Sequence, residues 1–231
     1  MAVRIAITLN ERLYLRDPQA TDLGQSIIEY SIILIHEIGF EAFTFRKLAA
    51  RISSTEASVY RYFANKQQLL LYLVSWYWEW VSYLIDVNTR NIADPCHRLK
   101  IIINTFVQAS QNKSANDYID KGLLHKIVIT EGAKAYHTKT VDQKNAEGLF
   151  LNYKRLTEKV ATVITEVAPQ FPYTHTLASN LFEMVNDNIY FARHLPRLTD
   201  VTIENNDLSE VRQMINFFAF KMLGCGEKIY C

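Results

Sequence analysis

Apolar residues recur along this chain at spacings of three and four and never alternate with polar ones over a sustained run, so the pattern predicts helices and assigns no strand. The first periodic stretch, 23–38, places Ile27, Ile28, Ser31, Leu34, Ile35 and Ile38 on one face. Asp22 reads as its N-cap, Gln25 closes a capping box, and Gly39 ends it in the left-handed conformation that stops helices. Thr44 then caps a short helix ending near Arg51, with Phe45, Leu48, Ala49 and Ile52 turned inward. A third short helix, ASVYRYF, is capped either by Thr55 or by a box of Ser53 with Glu56. Asn65, with Gln68 three residues on, opens a long helix reaching about Val87. Further helices are expected over about 96–111, 117–130, 141–167, 173–194 and 208–223. The prolines, Pro18, Pro95, Pro169, Pro172 and Pro196, fall where the periodic runs stop, because proline lacks the amide a helix interior needs.

The expected fold is therefore all-α. Two short helices separated by three polar residues, after a longer one, form a tri-helical helix-turn-helix head, and a larger helical domain follows. The boundaries read as an arm over 1–21, the head over 22–68, the larger domain over 69–224 and a tail over 225–231. The helix opened by Asn65 belongs to both halves.

With 231 residues, 49% of them apolar, the chain can bury a sizeable core. Its formal charge is +1, from 25 basic against 24 acidic residues, so no global field draws it to nucleic acid and any such contact must come from a local patch. The nearly all-apolar run 69–85 is shorter than the roughly 20 residues a spanning helix requires and contains Glu79, so it reads as a buried helix and no membrane is expected as partner. The first residues, interrupted by Arg4, Asn10, Glu11 and Arg12, do not form a signal peptide, and a cytoplasmic protein is expected. Cys96, Cys225 and Cys231 make no C-x-x-C pair and read as free thiols of a reducing compartment, with Cys225 and Cys231 able to oxidise together.

Catalytic signatures do not appear: there is no G-x-S-x-G, Walker loop or dinucleotide fingerprint. The six histidines, His36, His97, His125, His137, His175 and His194, show no ligand spacing, so neither a catalytic site, a metal nor a cofactor is expected.

From Gly39 to Leu70 the sequence GFEAFTFRKLAARISSTEASVYRYFANKQQLL closely resembles the DNA-binding signature of TetR-family transcriptional regulators. Gly39-Phe40, Thr44, Leu48-Ala49, Val59-Tyr60-x-x-Phe63, and Asn65-Lys66 followed by Leu69 carry the likeness. Ser53 stands where the family usually has a turn glycine, and Ser54 where it usually has an apolar residue. The resemblance implies a homodimeric repressor that binds double-stranded operator DNA and lets go when an apolar or amphipathic small molecule occupies the larger domain. A helical small-molecule or partner-binding protein that has lost operator binding is the alternative.

The local charge agrees with DNA binding: between Thr44 and Lys66 five basic residues, Arg46, Lys47, Arg51, Arg61 and Lys66, face the single acid Glu56. Thr44 and Lys66, in the first turns of their helices, are expected at phosphates, where free N–H groups add to the charge. Tyr60 and Tyr62 resemble the family's phosphate- and base-contacting aromatics, although Tyr60 can equally be core. Thr55, Ala57, Ser58 and Arg61 are the candidates for base readout, with Arg61 suited to guanine and Ala57 to a thymine methyl. An effector cavity would be lined by Tyr72, Trp76, Trp80, Tyr83, Phe106, Tyr118 and Phe150, if these are more than plain core. Leu181, Met184, Val185, Ile189, Met214, Phe217 and Phe218 on the last two long helices are expected to join two subunits in a four-helix bundle, against the alternative that they are intrachain core.

Overall fold

In the computed structural model, which describes residues 7–109 and 118–225, the regular structure is helical throughout. Helix α1 spans Asp22–Ala42, α2 Phe45–Arg51, α3 Glu56–Tyr60 and α4 Lys66–Thr89. After these come α5 Pro95–Ala109, α6 Lys121–Glu131, α7 Ala133–Tyr136, α8 Val141–Ala146, α9 Leu151–Val167, α10 Thr174–His194 and α11 Ser209–Met222.

Local chemistry explains most boundaries. The cap of α1 is Thr21 rather than Asp22: Thr21 is extended, at φ −141°, and its hydroxyl accepts the Gly24 amide. Gly39 adopts φ 75° as expected, yet the chain recovers a further helical turn to Ala42, so the glycine is a kink and not an end. Thr44 caps α2 by accepting from the Lys47 amide, and the open choice at α3 resolves to Thr55, whose hydroxyl accepts from the Ser58 amide. Asn65 accepts from the Gln68 amide at 2.8 Å and opens α4. The single helix expected over 141–167 is two. Gly148, at φ 76°, breaks it, and the Leu149 amide folds back onto the Lys144 carbonyl as the end of α8. Helix α6 begins with Asp120 as its cap, and the residues 110–117 into which two expected helices ran lie outside the described residues.

The chain forms two compact units. The first comprises residues 1–80 and 110–153, and the second 81–109 and 154–231, so α4 runs through both.

The first unit is built on the buried stripe Ile27, Ile28, Ile32 and Ile35 of α1, joined by Phe43, Leu48, Val59 and Phe63 from the following turns and by the first half of α4. The N-terminal arm is part of this core. Ile7, Leu9 and Leu13 are buried, the Leu15 amide donates to the Tyr62 carbonyl at 2.8 Å, and a short turn over Pro18–Ala20 lies against α1. That contact is so close that a Cβ on Gly24 would fall 2.3 Å from the Pro18 carbonyl oxygen. Fully burying an aliphatic side chain contributes about 1.5–3 kcal/mol, so the arm's three residues matter to stability.

In the second unit α5, α10 and α11 pack together. Leu99, Ile102, Ile103 and Phe106 meet Leu181, Phe182, Val185 and Ile189 of α10 and Val211, Ile215 and Phe220 of α11, with Phe106 edge-on to Phe182 at 5.4 Å. Lys159 pairs with Asp86 at 2.7 Å, and Arg98 with Glu166, on the surface. Among the described residues no helix is long and apolar enough to cross a membrane.

Candidate nucleic-acid interface

Helix α3 presents Thr55, Glu56, Ala57, Tyr60 and Arg61 to solvent, while Val59 on its opposite side is fully buried. The tight turn before it holds Ser53 at φ 51°, a left-handed conformation that glycine adopts without strain and serine rarely does. The Ser54 amide donates to the Ala49 carbonyl at 2.9 Å and closes the turn. Tyr60 is 47% exposed and stands edge-on to Phe45 at 5.0 Å, which aims its ring out of the core without releasing it. Arg61 donates to the Ser58 hydroxyl at 3.0 Å, and Thr55 and Ser58 share a hydroxyl hydrogen bond at 2.8 Å.

Three expected contacts move inward. Ser58 is 8% exposed and its hydroxyl is already engaged by Thr55 and Arg61, so it orients the arginine instead of meeting a base. Tyr62 is 2% exposed, with its hydroxyl 2.8 Å from that of Thr21, and it ties the segment after α3 to the start of α1. The Lys66 ammonium donates to the carbonyls of Phe40, Glu41 and Phe43, at 3.1, 3.0 and 3.4 Å, and lies 4.8 Å from the Phe40 ring centre. Its three protons are thus directed at the end of α1, where orphan carbonyls concentrate, and none is left for a phosphate.

The remaining cations divide by what they already hold. Arg51 pairs with Glu37 at 3.1 Å and Lys47 donates to the Ala42 carbonyl at 2.8 Å. Both are exposed pairs, which solvent makes weak and exchangeable. Arg46, on the exposed side of α2, has no ion-pair partner among the described residues. Thr44, Arg46, Thr55, Ala57, Tyr60 and Arg61 therefore remain as the solvent-facing residues of the expected set.

Sequence reading missed the clamp behind this face. Glu131, on α6, accepts the Phe40 amide at 3.1 Å and pairs with Lys134 at 2.7 Å, and Lys134 also reaches Glu41 at 3.0 Å. The Lys134 ammonium is held above its usual range by Glu131 and then Glu41, and the Glu41 carboxyl below its own by Lys134. No local pattern announces a pairing across about ninety residues.

Of the expected effector residues, Trp76 and Trp80 stack at 6.5 Å and Tyr72 lies one turn earlier on α4. The Tyr72 hydroxyl and Trp76 indole N–H are buried without a hydrogen-bond partner, and burial, followed by neighbouring Tyr118, pushes the Tyr72 hydroxyl's pKa far upward. Phe150 packs on Tyr136 at 5.5 Å. In the second unit Phe106 is core against Phe182, whereas Tyr83 is 42% exposed, too open to line a closed cavity. The expected subunit contacts also divide. Leu181, Val185 and Ile189 are buried within the protomer, because α10 turns that face onto α5 and α11, and they are corrected to intrachain core. Phe217 and Phe218 are exposed, and Met184 and Met214 half-buried.

Residues 27–73 match the sequence profile of the bacterial regulatory proteins of the tetR family. No curated protein matches the chain by sequence. Among solved structures, a bacterial regulatory protein of the tetR family from Rhodococcus RHA1 is 15% identical, with a TM-score of 0.63 over 90% of this chain and 100% of that one. The fatty acid degradation regulator FadR from Bacillus halodurans is 17% identical, with a TM-score of 0.60 over 84% and 92%. AibR, solved with isovaleryl coenzyme A and operator DNA, is 16% identical, with a TM-score of 0.55 over 86% and 97%. At such identities the structural likeness carries the fold alone, while the profile match at 27–73 carries the lineage of the head. Residues 27–73 thus carry the profile of the tetR-family head, and the chain as a whole shares the fold of tetR-family structures.

Proposed function

We propose that this chain is a homodimeric repressor that reads operator DNA with α3 and is released by a small molecule. The observation that carries the DNA reading is the composition of the exposed α3 face: Ala57, Tyr60 and Arg61 point outward from a turn held in tight geometry, flanked by Thr44 and Arg46. Arg61 offers a bidentate donor to guanine N7 and O6, Ala57 a methyl to thymine, and Arg46, Thr44 and Tyr60 reach backbone phosphates. Met184, Met214, Phe217 and Phe218 supply the apolar surface through which two copies join, spacing their α3 helices for successive turns of the major groove. An amphipathic effector reaches the buried, unpartnered Tyr72 hydroxyl and Trp76 N–H, two donors one turn apart on α4. AibR's complex with both isovaleryl coenzyme A and operator DNA supports a fold of this kind serving both ligands.

The second reading, a helical binding protein without an operator, is favoured by Glu56, exposed in the first turn of α3 where it repels phosphate, and by Lys66's withdrawal from the interface. Selection of bound sequences from random duplex DNA, at stated salt, separates the two. Recovery of a two-fold-symmetric site, with Arg61→Ala relaxing the preference at one base pair per half-site and costing about 1–3 kcal/mol on that site, supports the repressor. Enrichment of nothing above the random pool establishes the second.

A further inference from the structure

A cavity of about 590 Å³ opens in the second unit between α5 and α11. Its polar lining is unusual in two respects. The charged groups around it are Lys100, Arg212 and Lys221, and among the described residues that line it there is no carboxylate. Three of its polar atoms are buried without a hydrogen-bond partner: Arg212 Nε, Asn104 Oδ1 and Asn216 Oδ1. The Asn216 orientation is fixed, since its Nδ2 donates to the Arg212 carbonyl at 2.7 Å and a flipped amide would set oxygen against oxygen. Phe220 supplies a buried apolar wall, with the exposed Phe217, one of the residues proposed to join two copies, beside it. One acid lies near the rim: Asp207 is held below its usual range by the Ser209 hydroxyl and amide and, more weakly, by Arg212, so the guanidinium is only partly balanced.

A buried polar atom without a partner destabilises the fold, and three around one opening are rare unless something fills it. Arg212 Nε is a donor that seeks an anion, whereas Asn104 and Asn216 offer acceptors that seek N–H or O–H groups. No simple inorganic anion satisfies both, because an ion such as sulfate has no donor to give. We propose that this cavity binds a small organic anion that carries its own amide or hydroxyl donor beside an apolar body, the anionic group on Arg212 with Lys221 beside it, the donor on the two asparagine oxygens and the apolar part on Phe220. This site is separate from the aromatic residues of α4, and it stands whether or not the protein binds DNA.

The test uses the full-length protein without DNA and three probes: N-octanoylglycine, which has charge and donor, octanoate, which has charge alone, and N-octanoylglycinamide, which has donors alone. Calorimetric titration is expected to rank N-octanoylglycine first, with the uncharged amide at least tenfold weaker and octanoate several-fold weaker. Arg212→Met should cost N-octanoylglycine at least tenfold while leaving the amide nearly unchanged, and Asn216→Leu should erase the advantage of N-octanoylglycine over octanoate. Bound N-octanoylglycine should also slow alkylation of Cys225, which lines the same cavity, when followed by peptide mass. Equal binding of all three probes, no binding at millimolar concentration, or wild-type affinity in a folded Arg212→Met protein overturns the proposal. Should Arg212→Met fail to fold, the probe ranking and the Cys225 protection in wild-type protein still decide it. Operator selection tests the repressor reading alone, so the two can fail independently.

Discussion

Replacing Lys66 by methionine separates the phosphate contact expected from sequence from the role the structure gives its ammonium. Methionine keeps most of the apolar stem and removes the ammonium. In the structure that ammonium satisfies the carbonyls of Glu41 and Phe40 at 3.0 and 3.1 Å, both ordinary hydrogen-bond lengths, while the 3.4 Å contact to Phe43 adds little. The two good charge-assisted bonds, discounted to about 1 kcal/mol each because the group is only half-buried, together with about 0.5 kcal/mol for the position over Phe40, give a loss of roughly 2–3 kcal/mol. For a protein of this size that lowers Tm by about 4–10 °C. Urea and thermal denaturation measure the stability, and binding to a fixed DNA duplex between low and moderate salt measures the interface. The structural role predicts the stability loss with an unchanged log–log salt slope. A phosphate contact predicts the opposite: stability within about 0.5 kcal/mol of wild type and a slope shallower by about 0.9. That second outcome would refute the assignment of Lys66 to the end of α1.

Gly24→Ala should lose at least about 1 kcal/mol by urea denaturation despite alanine's better helix propensity, because the new methyl lands on the Pro18 backbone and overpacking costs about 1–3 kcal/mol. Ser53→Gly should be neutral or stabilising by about 0.5 kcal/mol, since relief of the left-handed backbone slightly outweighs glycine's extra entropy, and a clear loss would mean that the serine side chain itself holds the turn. Burial raises the Asp187 carboxyl above its usual range, so its contribution favours folding below the ordinary carboxylate pKa and is lost as pH rises through the raised value. Asp187→Asn should accordingly stabilise the protein at pH 7 and lose that advantage near pH 3, a trend followed by thermal melts across pH. A stabilisation independent of pH would point to packing instead of charge.

The elements legible in advance were those written in short-range chemistry. Thr44, Thr55 and Asn65 cap the helices they were expected to cap, because an N-cap needs only a side-chain oxygen two or three residues before an amide. Gly39 was legible as a left-handed position, but its neighbours' recovery of another turn was not, since that depends on Glu131 and Lys66 holding Phe40 from far along the chain. Gly148 sits in a run whose apolar spacing continues across it, so periodicity alone joined α8 to α9. In the basic segment around α2 and α3, residue type could not say which cations were committed elsewhere: Lys66 and Arg46 look alike in sequence and differ in their neighbours. The same limit applied to α10, where apolar excess gave no sign of whether Leu181 and Val185 faced α5 and α11 or another subunit.

The clamp of Glu131 and Lys134 on the end of α1 bears on how this protein can be taken apart and recombined. A chimera that transplants residues 22–68 onto another body would carry α3 but leave behind the carboxylate that holds the Phe40 amide, the lysine that grips Glu41, and the Lys134 carbonyl that accepts from Gln67. It would also omit Ile7, Leu9 and Leu13 from beneath the head. The exchangeable module is therefore discontinuous, residues 1–80 with 110–153. Grafts that respect that seam should keep their fold, and grafts cut at residue 68 should yield heads that are helical in parts but poorly fixed at the turn leading into α2.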